Sequence, residues 1–215
     1  METIEALQTF KNYYKNENYQ EALDFLGKNN IFSTDIQLYN LGLLNFKTQN
    51  YSKAKLLLEK AKSNGFDSPE VNKLLADSNS SLGIVEAQRS DTFKDNLIHN
   101  TQRVNVDLLM VSSLIAILIL VINLKRISAL FLRITLLIVF ILPLAWSVVY
   151  KLSYQSYIAL EDRQVRAGPS EMFDDSFIMP SGIKYTVSKN YKSWGYITYP
   201  DKYSGWVILK SKEQI

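Results

Sequence analysis

Apolar and polar positions follow three different rhythms along this chain. Through residues 4–82 apolar side chains recur at helical spacing and Gly and Pro are scarce inside the segments, which predicts short amphipathic helices. Residues 108–124 and 134–150 are charge-free apolar runs of 17 residues each, separated by a short segment holding Lys125, Arg126 and Arg133. A helix of that length covers about 25 Å, near the lower limit for crossing a hydrocarbon core of about 30 Å, so the two runs predict a membrane hairpin that flanking residues help to span. After Tyr157 the rhythm shortens, with four of the eight glycines and three of the five prolines falling between Gly168 and Gly205. Gly168-Pro169-Ser170 and Met179-Pro180-Ser181-Gly182 read as turns, while 183–187, 194–198 and 206–209 are rich in β-branched and aromatic residues. A region of about 55 residues with some five short strands predicts a small closed or half-open barrel.

The helical region also repeats itself. Asn18-Tyr19 followed by Ala22 and Leu26 returns as Asn50-Tyr51 followed by Ala54 and Leu58, an offset of 32 residues that suits stacked helix pairs. Gly42 and Ala54 are small enough for the two helices of a pair to approach closely, and Ala61 leaves room for the next pair. At Leu38, Leu41, Gly42, Tyr51, Ala54, Leu58 and Ala61 the chain resembles the tetratricopeptide repeat family. The first copy keeps Tyr13, Tyr19, Ala22 and Leu26 but has Phe10 where a small residue is usual, and Asn45 replaces the usual aromatic of the second. Pro69 opens a third unit that runs through Leu74, Leu75 and Ala76 and decays after Gly83. The resemblance implies a concave surface offered to a peptide or partner protein, stabilised by neighbour stacking. With so few repeats, a helical spacer that binds nothing is the competing reading.

Charge narrows the function classes. Residues 1–106 hold 12 Lys/Arg against 13 Asp/Glu, residues 107–150 hold 3 against 1, and residues 151–215 hold 9 against 7. Neither soluble part has the basic stripe that phosphate contacts require, so no nucleic-acid partner is expected. The chain has no cysteine and one histidine, His99, in a polar helical connector over 84–106; neither a disulfide framework nor a His/Cys zinc site is expected. Three basic residues in the inter-span loop favour a cytoplasmic loop with both soluble modules outside, while Arg103, Lys151 and the lack of a secretory h-region in the first 20 residues pull the other way. Pro143 predicts a kink in the second span, and Trp146 and Tyr150 read as interfacial anchors. Charge-free spans point to anchoring, not to an ion path.

In the last region Val165-Arg166-Ala167-Gly168-Pro169-Ser170, Met179-Pro180-Ser181-Gly182, Trp194-Gly195-Tyr196-Ile197 and Gly205-Trp206-Val207 together resemble the bacterial SH3-like (SH3b) family. That resemblance implies a binding module for cell-wall peptide or a partner protein, with no chemistry of its own. Tyr185, Tyr191, Trp194, Tyr199, Tyr203 and Trp206 are the candidate partner-binding residues, since rigid aromatics bind at low entropic cost. For Trp194 and Trp206, core packing is the heavier alternative. No phosphate-cradling glycine loop, serine elbow or thiol is present, so no catalytic, cofactor or metal residue is assigned and an enzyme is not expected. The acidic pairs Glu161-Asp162 and Asp174-Asp175 lie beside turns and read as caps.

The expected architecture is a multidomain membrane protein. It comprises all-α tetratricopeptide-type repeats over 1–83, the connector 84–106, transmembrane helices over 107–124 and 134–151 joined by the basic loop 125–133, and a small all-β SH3-like barrel over 152–215. This order of modules resembles the BatE family of bacterial aerotolerance (Bat) operons. The resemblance implies a non-enzymatic membrane-anchored scaffold of an envelope complex at the bacterial inner membrane, with both soluble modules periplasmic. Its implied partners are von Willebrand factor A-domain membrane proteins and a MoxR-type AAA ATPase, and the alternative is an envelope anchor that binds peptidoglycan.

Overall fold

The structure is a computed structural model that describes residues 2–84, 106–123 and 153–215, with single helical positions at 138, 141, 142, 145 and 149. The chain divides into two compact units, one made of Met1–Ser90 together with Ser156–Ile215 and the other of Asp91–Gln155.

The first unit opens with five helices: α1 (Glu2–Lys15), α2 (Tyr19–Lys28), α3 (Thr34–Lys47), α4 (Tyr51–Ser63) and α5 (Pro69–Ser81). Four of them stop in the same way, on a left-handed residue followed by an amide that reaches back to a carbonyl of the last turn. Glu17 (φ 60°), Gln49 (φ 64°), Gly65 (φ 104°) and Gly83 (φ 66°) hold the left-handed position. The closing bonds run from Asn18 N to Tyr13 O (3.0 Å), Asn50 N to Asn45 O (2.8 Å), Phe66 N to Ala61 O (3.0 Å) and Ile84 N to Asn79 O (3.2 Å). Asn18 and Asn50 then start the next helix, their carbonyls accepting from the amides of Ala22 and Ala54. The 32-residue sequence repeat therefore marks a stop and a start in one piece. At α5, Ser68 caps by accepting from Val71 N at 3.3 Å, with Pro69 at the first helical position where its missing N–H costs nothing.

Two cores tie the helices together. Phe10, Ala22, Leu26 and Leu44 form one, with Phe10 edge-on to Phe32 at 5.6 Å, so the bulky residue of the first copy fills space between helices. Leu58, Val71 and Leu75 form the other, joined by Tyr39, Phe66 and Leu74. Gly42 faces Leu58 so closely that a Cβ there would stand 2.9 Å from Leu58 Cγ.

The same unit carries six strands: β1 (Gln155–Ile158), β2 (Arg163–Arg166), β3 (Asp175–Met179), β4 (Lys184–Tyr191), β5 (Trp194–Tyr199) and β6 (Gly205–Ile208). They form one sheet in the order β1-β4-β5-β6-β2-β3, with antiparallel pairing at β4–β5, β5–β6, β6–β2 and β2–β3. The sheet is open, which corrects the expected SH3-like barrel. The two outer strands, β1 and β3, do not meet; Tyr157 of β1 instead bridges to Gln214, and Ile215 N donates to Ser156 O at 3.0 Å.

The core of the sheet contains Tyr157, Ala159, Val165, Met179, Ile183, Tyr185, Val187, Ile197 and Val207, together with Ile84 from the end of the helical region. Leu82 packs against it, and a Cβ on Gly182 would stand 2.5 Å from Leu82 Cδ1, so the turn before β4 needs its glycine both for its φ of 80° and for this approach. Polar contacts add to the seam: Lys55 Nζ donates to Gly182 O at 2.9 Å, and Lys184 pairs with Glu59 at 2.9 Å. The helical and β regions are thus parts of one compact unit.

Among the described residues of the second unit stands one long helix, α6 (Val106–Asn123), with Val111, Leu114, Ile115, Leu118, Ile119 and Ile122 each more than half exposed. Between the polar residues Asp107 and Asn123 it holds 15 residues, 108–122, that rise only about 22 Å. Among the described residues no helix is long and apolar enough to cross a membrane. This corrects the expectation of a two-span membrane protein placed in the bacterial inner membrane, with the transmembrane and periplasmic assignments that went with it. Residues 85–105 of the expected connector 84–106, including His99, the loop 125–133, and Pro143, Trp146 and Tyr150 of the expected second span lie outside the described residues.

Candidate functional site

Strand alternation sends every second side chain to the face of the sheet opposite its core. On that outer face the register lines residues up in rows. One row runs Tyr191, Trp194, Ile208 across β4, β5 and β6. The next runs Lys189, Tyr196, Trp206, Arg166, Asp175 across β4, β5, β6, β2 and β3. Gln164 and Ile178 form a shorter third row on β2 and β3. Four aromatic rings on three adjacent strands thus share one surface with aliphatic neighbours.

The rings touch in defined ways. Tyr196 and Trp206 meet edge-on with centroids 5.5 Å apart. The Arg166 guanidinium lies 5.9 Å from the Trp194 ring centre and binds Asp175 at 3.0 Å, so it is held in place from two sides. Its Nη1 is buried without a hydrogen-bond partner. Lys192 lies 5.5 Å from the Tyr191 ring, which is half exposed. Such a surface offers apolar contact area and fixed cationic donors.

The six aromatics expected to form a recognition face divide between the two sides of the sheet. Tyr191, Trp194 and Trp206 lie on the outer face, Trp206 half-buried and Trp194 nearly buried beneath Arg166. Tyr185 and Tyr199 are interior residues. Tyr185 stacks on Tyr157 at 5.4 Å, and burial, reinforced by the charge of Glu213, pushes its hydroxyl well above the usual tyrosine range. Tyr203 packs against Phe177 at 5.8 Å at the margin of the core. Tyr196, Arg166, Ile178 and Ile208 were not among the expected residues. Parity was the available signal: Tyr196 is two residues from Trp194 and shares its face, whereas Tyr199 is five away and does not.

A second group of ionisable residues is internal. Glu213 is fully buried, pairs with Arg163 and accepts from Leu160 N at 3.3 Å, while Arg163 also meets Glu161 at 3.4 Å. At the helix–sheet seam, desolvation brings the Lys55 ammonium down to about 7, opposed by Glu59 and assisted by Lys184. Among the described residues no group of three or more His, Cys, Asp or Glu side chains is placed to hold a metal ion. Comparison with protein-family models, curated proteins and solved structures found no match.

Proposed function

We propose that this chain is a non-enzymatic adaptor, and that the outer aromatic face of its sheet holds a protein partner while the helical pairs support that sheet and offer a second surface. The observation that carries this reading is the alignment of Tyr191, Trp194, Tyr196 and Trp206 on three adjacent strands with Arg166 fixed among them. Aromatic and arginine side chains on a rigid support are the residue types that dominate protein interfaces, because they contribute large contact area at small entropic cost. The first partners to try are those implied by the sequence resemblance, a von Willebrand factor A-domain protein and a MoxR-type AAA ATPase.

Calorimetric titration of the purified full chain against each of these proteins, with purified peptidoglycan as a parallel probe, tests the proposal. Saturable binding to one protein, weakened at least about tenfold by Trp206→Ala with the thermal midpoint retained, is the expected result. Retention on peptidoglycan alone would replace the adaptor with a wall-binding protein. Binding to a partner that Trp206→Ala and Tyr196→Ala leave unchanged would remove the aromatic face from the proposal.

A further inference from the structure

The two outer strands of the sheet are protected unequally. β1 pairs with β4 inside the sheet and is bridged again by Gln214, with Ile215 N bonded to Ser156 O at 3.0 Å. β3 pairs with β2 and has no second strand beside it among the described residues. An outer strand presents unpaired N–H and C=O groups, and edges are ordinarily guarded by Lys, Pro or a covering segment. Residues 171–179 contain neither Lys nor Pro. A register irregularity opposite Val165 and Arg166 breaks the pairing near Ser176, yet Phe177, Ile178 and Met179 continue in regular register.

The surroundings of this edge are apolar and acidic. Ile178 is 63% exposed, Met172 94% and Phe173 49%. Phe173 is fixed over Gly168, where a Cβ would stand 2.6 Å from its ring, so a half-exposed aromatic is held in the loop that enters β3. The charges of this stretch are Glu171, Asp174 and Asp175, and of these Asp175 is neutralised by Arg166. A second copy pairing through the same edge would bring acidic stretches together, and like charges across a strand pair are destabilising. The charge pattern selects a basic occupant.

We infer that β3 accepts an added strand from a partner protein, an extended segment in which apolar residues alternate with Lys or Arg. Its main chain completes the hydrogen bonding of β3, its apolar side chains settle beside Ile178, Phe173 and Met172, and its cations meet Glu171 and Asp174. This edge adjoins the outer face at Asp175 and Ile178 but uses none of its four aromatic rings, so its failure would leave the adaptor proposal standing.

The test uses the full chain and two blocked, fluorescently labelled octapeptides, one of alternating Lys and Val and one of alternating Glu and Val. The Lys/Val peptide is expected to bind the wild-type chain and to slow amide exchange over 175–179. Ile178→Lys, at an exposed site, should weaken that binding at least about tenfold with the thermal midpoint unchanged. Glu171→Lys combined with Asp174→Lys should reverse the preference to the Glu/Val peptide. Absence of Lys/Val binding, equal affinity after Ile178→Lys, or protection confined to another strand would overturn the inference. A dimer in sedimentation that Ile178→Lys dissociates would overturn it too, by assigning the edge to a second copy.

Discussion

The helical and β regions of the first unit bury polar groups on different scales of sequence. In the helices, partners are near neighbours: Gln37 donates to Leu26 O at 2.7 Å and Asn29 O at 2.9 Å, Asn45 to Leu41 O at 2.7 Å, and Ser78 to Leu74 O at 2.7 Å. In the sheet, the fully buried Glu213 is matched by Arg163, 50 residues earlier, and at the seam Lys55 reaches Gly182 across 127 residues. The helical region therefore spreads its stability over many local contacts. In the sheet and at the seam, buried charges depend on partners that must come from far along the chain.

The largest break in that comparison is Glu213→Ala. Removing one member of a buried ion pair leaves the other unmatched, at a cost of about 3–5 kcal/mol. Urea unfolding should show this loss. Because Ile84 and Leu82 sit in or against the core of the sheet, tryptophan fluorescence and the far-ultraviolet helical signal should fall together. Loss of the fluorescence change with the helical transition unmoved would show that the two regions unfold independently.

The seam sharpens the comparison through pH. A lysine whose folded-state value is about 7 against an ordinary 10.5 binds fewer protons folded than unfolded between those limits. Stability should therefore be lowest below about pH 7 and rise toward pH 10, by at most about 1.4 kcal/mol per pH unit from this group. Above pH 10 the raised Tyr185 hydroxyl acts in the opposite direction, so the measurement belongs between pH 6 and 9.5. Lys55→Met should flatten the slope in denaturant titrations across that range. A slope equal to the wild-type value would move its origin away from Lys55.

The smallest effect is expected at Gly42. An alanine there gains about 1 kcal/mol of helix propensity but presses its methyl group on Leu58, where overpacking costs about 1–3 kcal/mol, for a net loss near 1 kcal/mol. Differential scanning calorimetry should place the thermal midpoint of Gly42→Ala a few degrees lower. A raised midpoint would mean that Leu58 yields without cost and that the helix pair tolerates a looser approach.

This division also explains what the sequence made legible. The Asn-Tyr repeat located two helix starts, and Gly42, Ala54 and Leu58 were recognisable as packing positions, because helix pairing is encoded in residues three to four apart. The β-rich runs 183–187, 194–198 and 206–209 overlap β4, β5 and β6, while β1, β2 and β3 carried no such signal. The open strand order could not be read, since it rests on pairings between strands far apart in sequence, such as β6 with β2. The aromatic face was half legible: counting aromatics found Tyr191, Trp194 and Trp206, but a count ignores alternation, which sends Tyr185 and Tyr199 to the interior and brings Tyr196 out. The apolar run after Asp107 was read as a span on length and lack of charge. Asn123 falls within that run, and among the described residues no helix is long and apolar enough to cross a membrane.

The contact between Lys55 and Gly182 has a consequence in time. A ribosome adding about 5–20 residues per second needs roughly 6–25 s to make the 127 residues between them. During that interval α4 can already be helical while Lys55, Ile84 and Leu82 have no sheet to cover them. A nascent chain halted before Gly182 should consequently present these side chains to chaperones, and one in which the whole sheet has emerged should not.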